Sequence, residues 1–385
     1  MSAPRAIPAP PPPGRRASPA GLSTEQLVIN MGPQHPSTHG VLRLVLTLEG
    51  EVITDLEPDI GYLHRGMEKL AENRTYAQYL PYTDRLDYLA SLNCNLGYCL
   101  AVERLAGIEV PERAQYIRVL LAELNRIASH LIWLATFGND LGATTVFLYG
   151  MRERELMVDL FELALGARLT YAGMRIGGMP YDLPEGFEQA TREAIRQMRP
   201  RLDENDRLLT GNRIFQSRTR GVGALSRADA IAYAVSGPTL RGSGLAMDIR
   251  GHDPYCIYER LDFEVPVFDE GDCFARYLVR IEEMRQSLRM VEQCLDRMPA
   301  GPVRAKLPRA FKPPAGEAYS RTEAPRGDLG VFVVSDGSAN PCRVRVRAPS
   351  FANLQALGVM TRGSKIGDLV AILGSIDIVL GEIDR

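Results

Sequence analysis

The sequence predicts an α+β protein with a small N-terminal β domain, a central helical bundle and a C-terminal mixed α/β segment. Three observations carry that prediction. Short runs of strand character, turning at Glu49-Gly50, fill residues 26–58. Apolar residues then recur at spacings of three and four along two long stretches that end near Gly138 and Met298. After Pro302 the composition shifts to a proline-marked linker followed by short strands.

Taken in order, residues 1–22 carry seven prolines and three arginines and no apolar core, so they read as a disordered basic arm rather than a secretory signal. Residues 23–60 form the β domain, with strands expected over 26–30, 41–48 and 51–56. The bundle spans 61–301. Its longest helix begins at Pro111, a residue suited to a first turn, and repeats Ile117, Leu120, Leu121, Leu124, Ile127, Leu131 and Leu134 up to Gly138. The stretch 272–298 repeats the pattern through Phe274, Leu278, Ile281, Met284, Leu288, Val291 and Leu295, and further helices fall near 85–106, 143–165 and 186–210. Residues 302–385 form the mixed segment: Pro308, Pro313 and Pro314 mark the linker, and strands are expected over 317–323, 329–335 and 342–347. There Asp336-Gly337 makes a turn, Ser350 caps a short helix and a second helix covers 368–373. No internal repeat is found.

With 385 residues, 45% of them hydrophobic, the chain is long enough for a large core in two or three parts. No apolar stretch approaches the roughly 18 to 20 uncharged residues that span a bilayer, so membrane association is expected through partners. A net charge of −2 without a long basic run argues against nucleic acid as the main partner. The six cysteines, Cys94, Cys99, Cys256, Cys273, Cys294 and Cys342, form no C-x-x-C pair. They read as buried free thiols in a reducing cytoplasm rather than as iron–sulfur or zinc ligands.

The densest chemistry lies in Gly32-Pro33-Gln34-His35-Pro36-Ser37-Thr38-His39-Gly40. Pro36, flanked by Pro33 and Gly40, makes a helix there untenable, so His35 and His39 are not an i, i+4 metal pair. The segment is a turn that leaves a sheet edge and returns to it. From the residues alone two readings stay open: the side chains are presented to a ligand, or they satisfy the turn's own backbone.

This stretch, with 61–69 (GYLHRGMEK), 72–76 (ENRTY), 123–130 (ELNRIASH), 140–143 (DLGA), 152–155 (RERE) and 381–385 (GEIDR), resembles the 49-kDa-type (D-type) subunit of respiratory complex I. The resemblance covers nearly the whole chain, from about Gln26 to Arg385. It implies the quinone-site subunit of a proton-pumping NADH-quinone oxidoreductase, on the cytoplasmic side of the cell membrane. The chain itself would bind no redox cofactor and no metal. Electrons would reach quinone from a 4Fe–4S cluster in the adjacent iron–sulfur B-type subunit, with a C-type subunit and the membrane H-type subunit as further neighbours.

By the same resemblance, the loop with His35, Thr38 and His39 forms one wall of the quinone headgroup cavity. His39 and Tyr88, the latter in Arg85-Leu86-Asp87-Tyr88, would donate to the headgroup, and Asp140 would partner His39. These residue types suit the chemistry. Quinone reduction takes two electrons and two protons, so its oxygens need donors that can release a proton, and a carboxylate fixes a histidine tautomer and relays a replacement. Without the resemblance, Tyr88 reads as an ordinary helix residue and Asp140 as a charge at a helix end. Arg65, Glu68, Arg74 and Arg85 read as a solvated face or an ion-pair network. The resemblance makes Arg85 a cluster-facing cation.

Three departures stand out. Thr170, in Gly166-Ala167-Arg168-Leu169-Thr170, occupies a position where a cluster-facing histidine is usual; residues 302–317 are shorter than in many members; and Ile378 replaces a proline of some members. A subunit of a related complex with a non-NADH donor is therefore an alternative, as is a non-catalytic scaffold. A hydrogenase-like nickel enzyme is a third, but its C-terminal cysteine pair is matched here by Val379 and Glu382.

Overall fold

The computed structural model describes residues 26–35 and 40–385. The expected 1–22 arm lies outside them. Strands β1 (Gln26–Met31), β2 (Arg43–Glu49) and β3 (Val52–Asp59) form an antiparallel sheet in that order. Along β2 burial alternates, with Leu44, Leu46 and Leu48 turned inward. That face does not pack on the helices that follow it in sequence. Its core partners are Leu369, Ile372, Leu380 and Ile383, so the two ends of the chain fold together.

Helices α1 (Met67–Glu72), α2 (Tyr76–Thr83) and α3 (Ser91–Ala106) lead into α4 (Glu112–Asp140) and α5 (Thr144–Leu165). The long helix α4 is the axis of the bundle: Ile117, Leu120, Leu121, Leu124, Ile127, Leu131 and Leu134 are all fully buried. Gly150 lets α5 approach closely, since a Cβ there would sit 3.1 Å from the Leu131 carbonyl and 3.1 Å from Ala135 Cβ. Helix α6 (Phe187–Thr210) continues the bundle, four short helices (α7 to α10) lie between 213 and 252, and α11 (Cys273–Arg297) returns along α4. Asp272 caps α11 by accepting from the Ala275 amide at 2.7 Å.

The second sheet, β4 (Gly316–Ala324), β5 (Gly327–Ser335) and β6 (Arg343–Arg347), is antiparallel and packs on α3. The β4–β5 register pairs Ala324 with Gly327, which makes Pro325-Arg326 a two-residue turn. Helices α12 (Pro349–Gln355), α13 (Leu357–Thr361), α14 (Ile366–Ser375) and α15 (Leu380–Asp384) complete the chain. Trp133 Nε1 donates to the Gly374 carbonyl at 2.7 Å and ties α14 to α4.

The α+β class is as expected, and three local expectations are corrected. The helix placed near 85–106 starts only at Ser91, because residues 84–90 form a pinned turn. Ser350 does not cap α12: Ala348 is the N-cap, and Ser350 instead accepts from the Val379 amide and donates its own amide to Glu382. The cysteines are free, but Cys342 is exposed where the loop enters β6, and Cys256 is only partly buried. Among the described residues no helix is long and apolar enough to cross a membrane.

Candidate functional site

The turn carrying Tyr88 is built by two aspartates. Asp87 Oδ1 accepts from the amides of Leu89 (3.1 Å) and Ala90 (3.2 Å), a turn closed just ahead of α3, while Asn125 Oδ1 accepts from the Leu92 amide in the first turn of that helix at 3.1 Å. Oδ2 of the same side chain receives Arg326 Nη1 at 2.6 Å. Both partners are 1% exposed. Tyr88 is therefore not an ordinary helix residue: it stands half-buried on a turn locked from below. Burial, with Arg326 pulling the other way, raises its phenol above the usual value, so it stays a neutral donor at physiological pH.

Arg326 reaches this place from the β4–β5 turn, a position that hairpins normally leave in water. Its Nη1 also donates to Ser129 Oγ on α4 at 3.1 Å, and Nη2 to Asp377 Oδ1 at 3.1 Å. Sequence reading missed Arg326 and Asp377 altogether. An arginine beside a proline in a hairpin carries no local sign of burial.

Four separated motif stretches meet around the Tyr88 turn. Arg65 Nη2 donates to the carbonyls of Arg85 (2.6 Å) and Gly381 (3.1 Å). Gly381 lies so close that a Cβ would come 2.7 Å from the Leu86 carbonyl. Gly40 in turn faces Leu380, whose Cδ1 would be 3.0 Å from a Cβ on Gly40. Asp384 accepts from the amides of Gly61 (2.9 Å) and Leu63 (2.7 Å), while His64 Nδ1 donates to the Asp384 carbonyl at 2.7 Å. The end of the 32–40 turn thus packs one layer from the residues that carry Tyr88.

Within that turn, exposed His35 bridges to Gly40, as expected for a segment that returns to its sheet. Thr38 and His39 lie outside the described residues. Asp140 is the last residue of α4 and partly buried. Eleven residues separate it from Ser129, about 16 Å along the helix axis, so it stands well away from the Arg326 contact on that helix.

Arg85 and the segment that follows Thr170 meet at Asp84. This buried carboxylate accepts from the Ala172 amide at 2.6 Å and from Asn95 Nδ2, and lies 3.7 Å from Arg85 Nη1. Burial pushes the Asp84 carboxyl up to about 6, although Ala172, Asn95, Arg85 and Arg175 all favour its ionised form. Thr170 holds a left-handed backbone, φ 51°, two residues before the Ala172 amide. Of the charge-dense stretch, Glu68 belongs to an ion-pair network with Arg343 and Arg345 at 3.4 and 3.0 Å.

A second buried polar system runs through the bundle. Glu123 on α4 is gripped by Arg126 and Arg250, and by the hydroxyls of Tyr258 and Ser287, each at 2.6 Å. Burial opposes its charge, but the two arginines prevail and hold it near 2. His130 Nε2 donates to Glu283 at 2.8 Å, and Glu283 also pairs with Arg241. Burial lowers the His130 value, leaving the ring neutral. The signal for this system is visible in α4, where Glu123, Asn125, Arg126, Ser129 and His130 interrupt apolar spacing on a helix with almost no exposed face.

The family model described as respiratory-chain NADH dehydrogenase, 49 Kd subunit, matches residues 140–385. The NADH-quinone oxidoreductase D-type subunit of Desulforamulus reducens is 53% identical over 94% of this chain and 99% of its own length. The D-type subunit of Dehalococcoides mccartyi is 55% identical over 94% of this chain and all of its own, and the second D-type subunit of Solibacter usitatus 54% over 94% and 98%. The chain is a member of the respiratory-chain NADH dehydrogenase 49 Kd subunit family.

Proposed function

We propose that this chain is the quinone-site subunit of a proton-translocating NADH-quinone oxidoreductase, forming the headgroup cavity together with an adjacent iron–sulfur subunit. The observation that carries the reading is the convergence of the 32–40 turn, through Gly40 and Leu380, with Gly381 and the Tyr88 turn. A neutral phenol on a rigid turn, and a histidine-bearing loop whose last residue, Gly40, packs against Leu380 near it, would supply two proton-releasing donors for the two oxygens of a quinone. The opposite side of that turn, where Arg85, Asp84 and the Thr170 segment meet, would face the partner's 4Fe–4S cluster. A guanidinium there favours the reduced, more negative state of the cluster. Quinone is the substrate, and the chain brings donors and charge rather than a cofactor. Partners of the C type and the membrane H type would hold it peripherally on the cytoplasmic face, and the energy of quinone reduction would be coupled to distant proton channels.

The experiment is Tyr88→Phe in the assembled complex. Asp87, not the Tyr88 hydroxyl, holds the turn, so assembly is retained. Loss of one buried hydrogen bond of about 1 to 3 kcal/mol raises KM for short-chain quinones about 5- to 150-fold. His39→Ala lowers turnover more than binding. Unchanged quinone kinetics in both assembled variants would refute the proposal.

A further inference from the structure

Behind Tyr88, three carboxylates crowd one guanidinium. Arg326 pairs with Asp87 at 2.6 Å and Asp377 at 3.1 Å, and Glu382, 1% exposed, feels the same guanidinium without forming an ion pair with it. A second buried cation, Arg280 on α11, faces Asp377, and its Nη1 is bound to the carbonyls of Arg276 and Ser375. Arg280 also faces Glu283, itself held by Arg241 and His130. From the remaining sides Cys94 faces Asp87 and Glu382, Arg65 faces Tyr88, and Arg385 is drawn first to Glu68 and only then to Glu382. Arg276 is engaged by Ser375 Oγ and by backbone carbonyls.

Three buried anions thus share two cations, one of which has a further carboxylate to neutralise. A buried charge without its own counter-charge is costly enough that a carboxyl retains its proton instead. The bonding pattern selects which one. Asp87 has two amides and a guanidinium, and Asp377 has a guanidinium, whereas Glu382 accepts from the Ser350 amide at 2.9 Å. Asp377 Oδ2, Arg326 Nε and Arg280 Nε and Nη2 are buried polar atoms without a hydrogen-bond partner among the described residues.

The geometry points to Glu382 as the residue that stores the proton returned to Tyr88 after quinone reduction, an inference that rests on the quinone reading above. Quinone takes two electrons from the neighbouring subunit's iron–sulfur cluster and two protons. One proton comes from protonated His39, the other from Tyr88, whose O–H bond breaks as the quinone O–H forms, leaving a phenolate. The Glu382 O–H then breaks and its proton passes to the phenolate, re-forming the phenol. Glu382 remains a carboxylate beside Arg326 until it takes a proton from solvent. Burial and the adjacent Asp87 charge push the Glu382 carboxyl up to about 8, consistent with a group that is protonated at rest. Glu382 does not touch quinone, so its effect belongs to turnover rather than binding.

The test uses the intact complex with Glu382→Gln, which keeps an oxygen for the Ser350 amide but has no acidic proton. The expected result is a fall of at least tenfold in kcat for short-chain quinone with KM unchanged. The decline in kcat as pH rises through about 8, present in the unmodified complex, is lost in the variant. Infrared difference spectra of quinone reduction should show a protonated-carboxyl band in the unmodified complex that is absent from Glu382→Gln. An assembled variant with the original kcat and pH profile overturns the inference, and so does an unmodified complex with no such carboxyl band, which decides the matter even if the variant fails to assemble. Impaired Tyr88→Phe beside normal Glu382→Gln refutes only the proton store; indifference of both Tyr88→Phe and His39→Ala refutes the quinone reading.

Discussion

Replacing Arg326 by methionine isolates what holds the Tyr88 turn in place. Methionine fills a similar volume without charge, so the principal loss is the guanidinium and its bonds to Asp87, Asp377 and Ser129. Removing one partner of a fully buried pair costs about 3 to 5 kcal/mol, because the surviving charge has no water to return to. That is about two to four powers of ten in the local opening equilibrium. The pH dependence has a definite sign. Burial already raises the Asp87 carboxyl, with Arg326 working against that rise. Without Arg326 it rises further, so the penalty is absent well below the unfolded value of about 4 and grows as pH climbs through the folded value. The Arg326→Met deficit should therefore be larger at pH 8 than at pH 5. Hydrogen exchange of the amides in 84–95 and 324–328, measured in the assembled complex at both pH values, reads this opening directly. Adding Asp87→Asn, which removes the orphaned charge but keeps an oxygen for the Leu89 and Ala90 amides, should recover more than half of the lost protection. Unaltered protection in Arg326→Met at pH 8 would show that the pair contributes nothing to the turn.

Other expectations follow from single contacts. Asp84, raised to about 6, contributes stability that is full below about 4 and is lost as pH rises through about 6; thermal midpoints of the complex should fall over that window relative to Asp84→Asn, and parallel curves would contradict this. Thr170→His is tolerated by the left-handed φ of 51°, which histidine adopts more readily than most residues. In a redox titration it should raise the partner cluster's midpoint at acidic pH and add a pH slope; a steep slope already present without it would assign that role to another group. Gly178→Ala should prevent assembly, since φ is 141° and a Cβ would lie 2.2 Å from the Val303 carbonyl; the backbone strain alone costs about 1 to 3 kcal/mol, and normal yields of the complex would refute it.

What the sequence determined by itself was local. Periodicity located α4 and α11 to within a few residues, because an apolar repeat of three and four is a property of one helix and needs no knowledge of its neighbours. Turn chemistry likewise located both sheets, and ordered motifs led to the family. It misjudged residues 84–90, where helical propensity loses to two aspartates whose partners, Ala172, Asn95 and Arg326, are 11 to 239 residues away. The charge cluster behind Tyr88 was equally out of reach. Arg326, Asp377 and Glu382 look like surface residues in any short window, since the cost of burying a charge is decided by what packs against it. Only the tertiary structure folds the C-terminal helices onto the N-terminal sheet and thereby seals Asp87, Asp377, Glu382 and Arg326, from different segments, into one dry corner. Burial and pairing are sums over neighbours distant in the chain, and those sums exist only once the chain has closed.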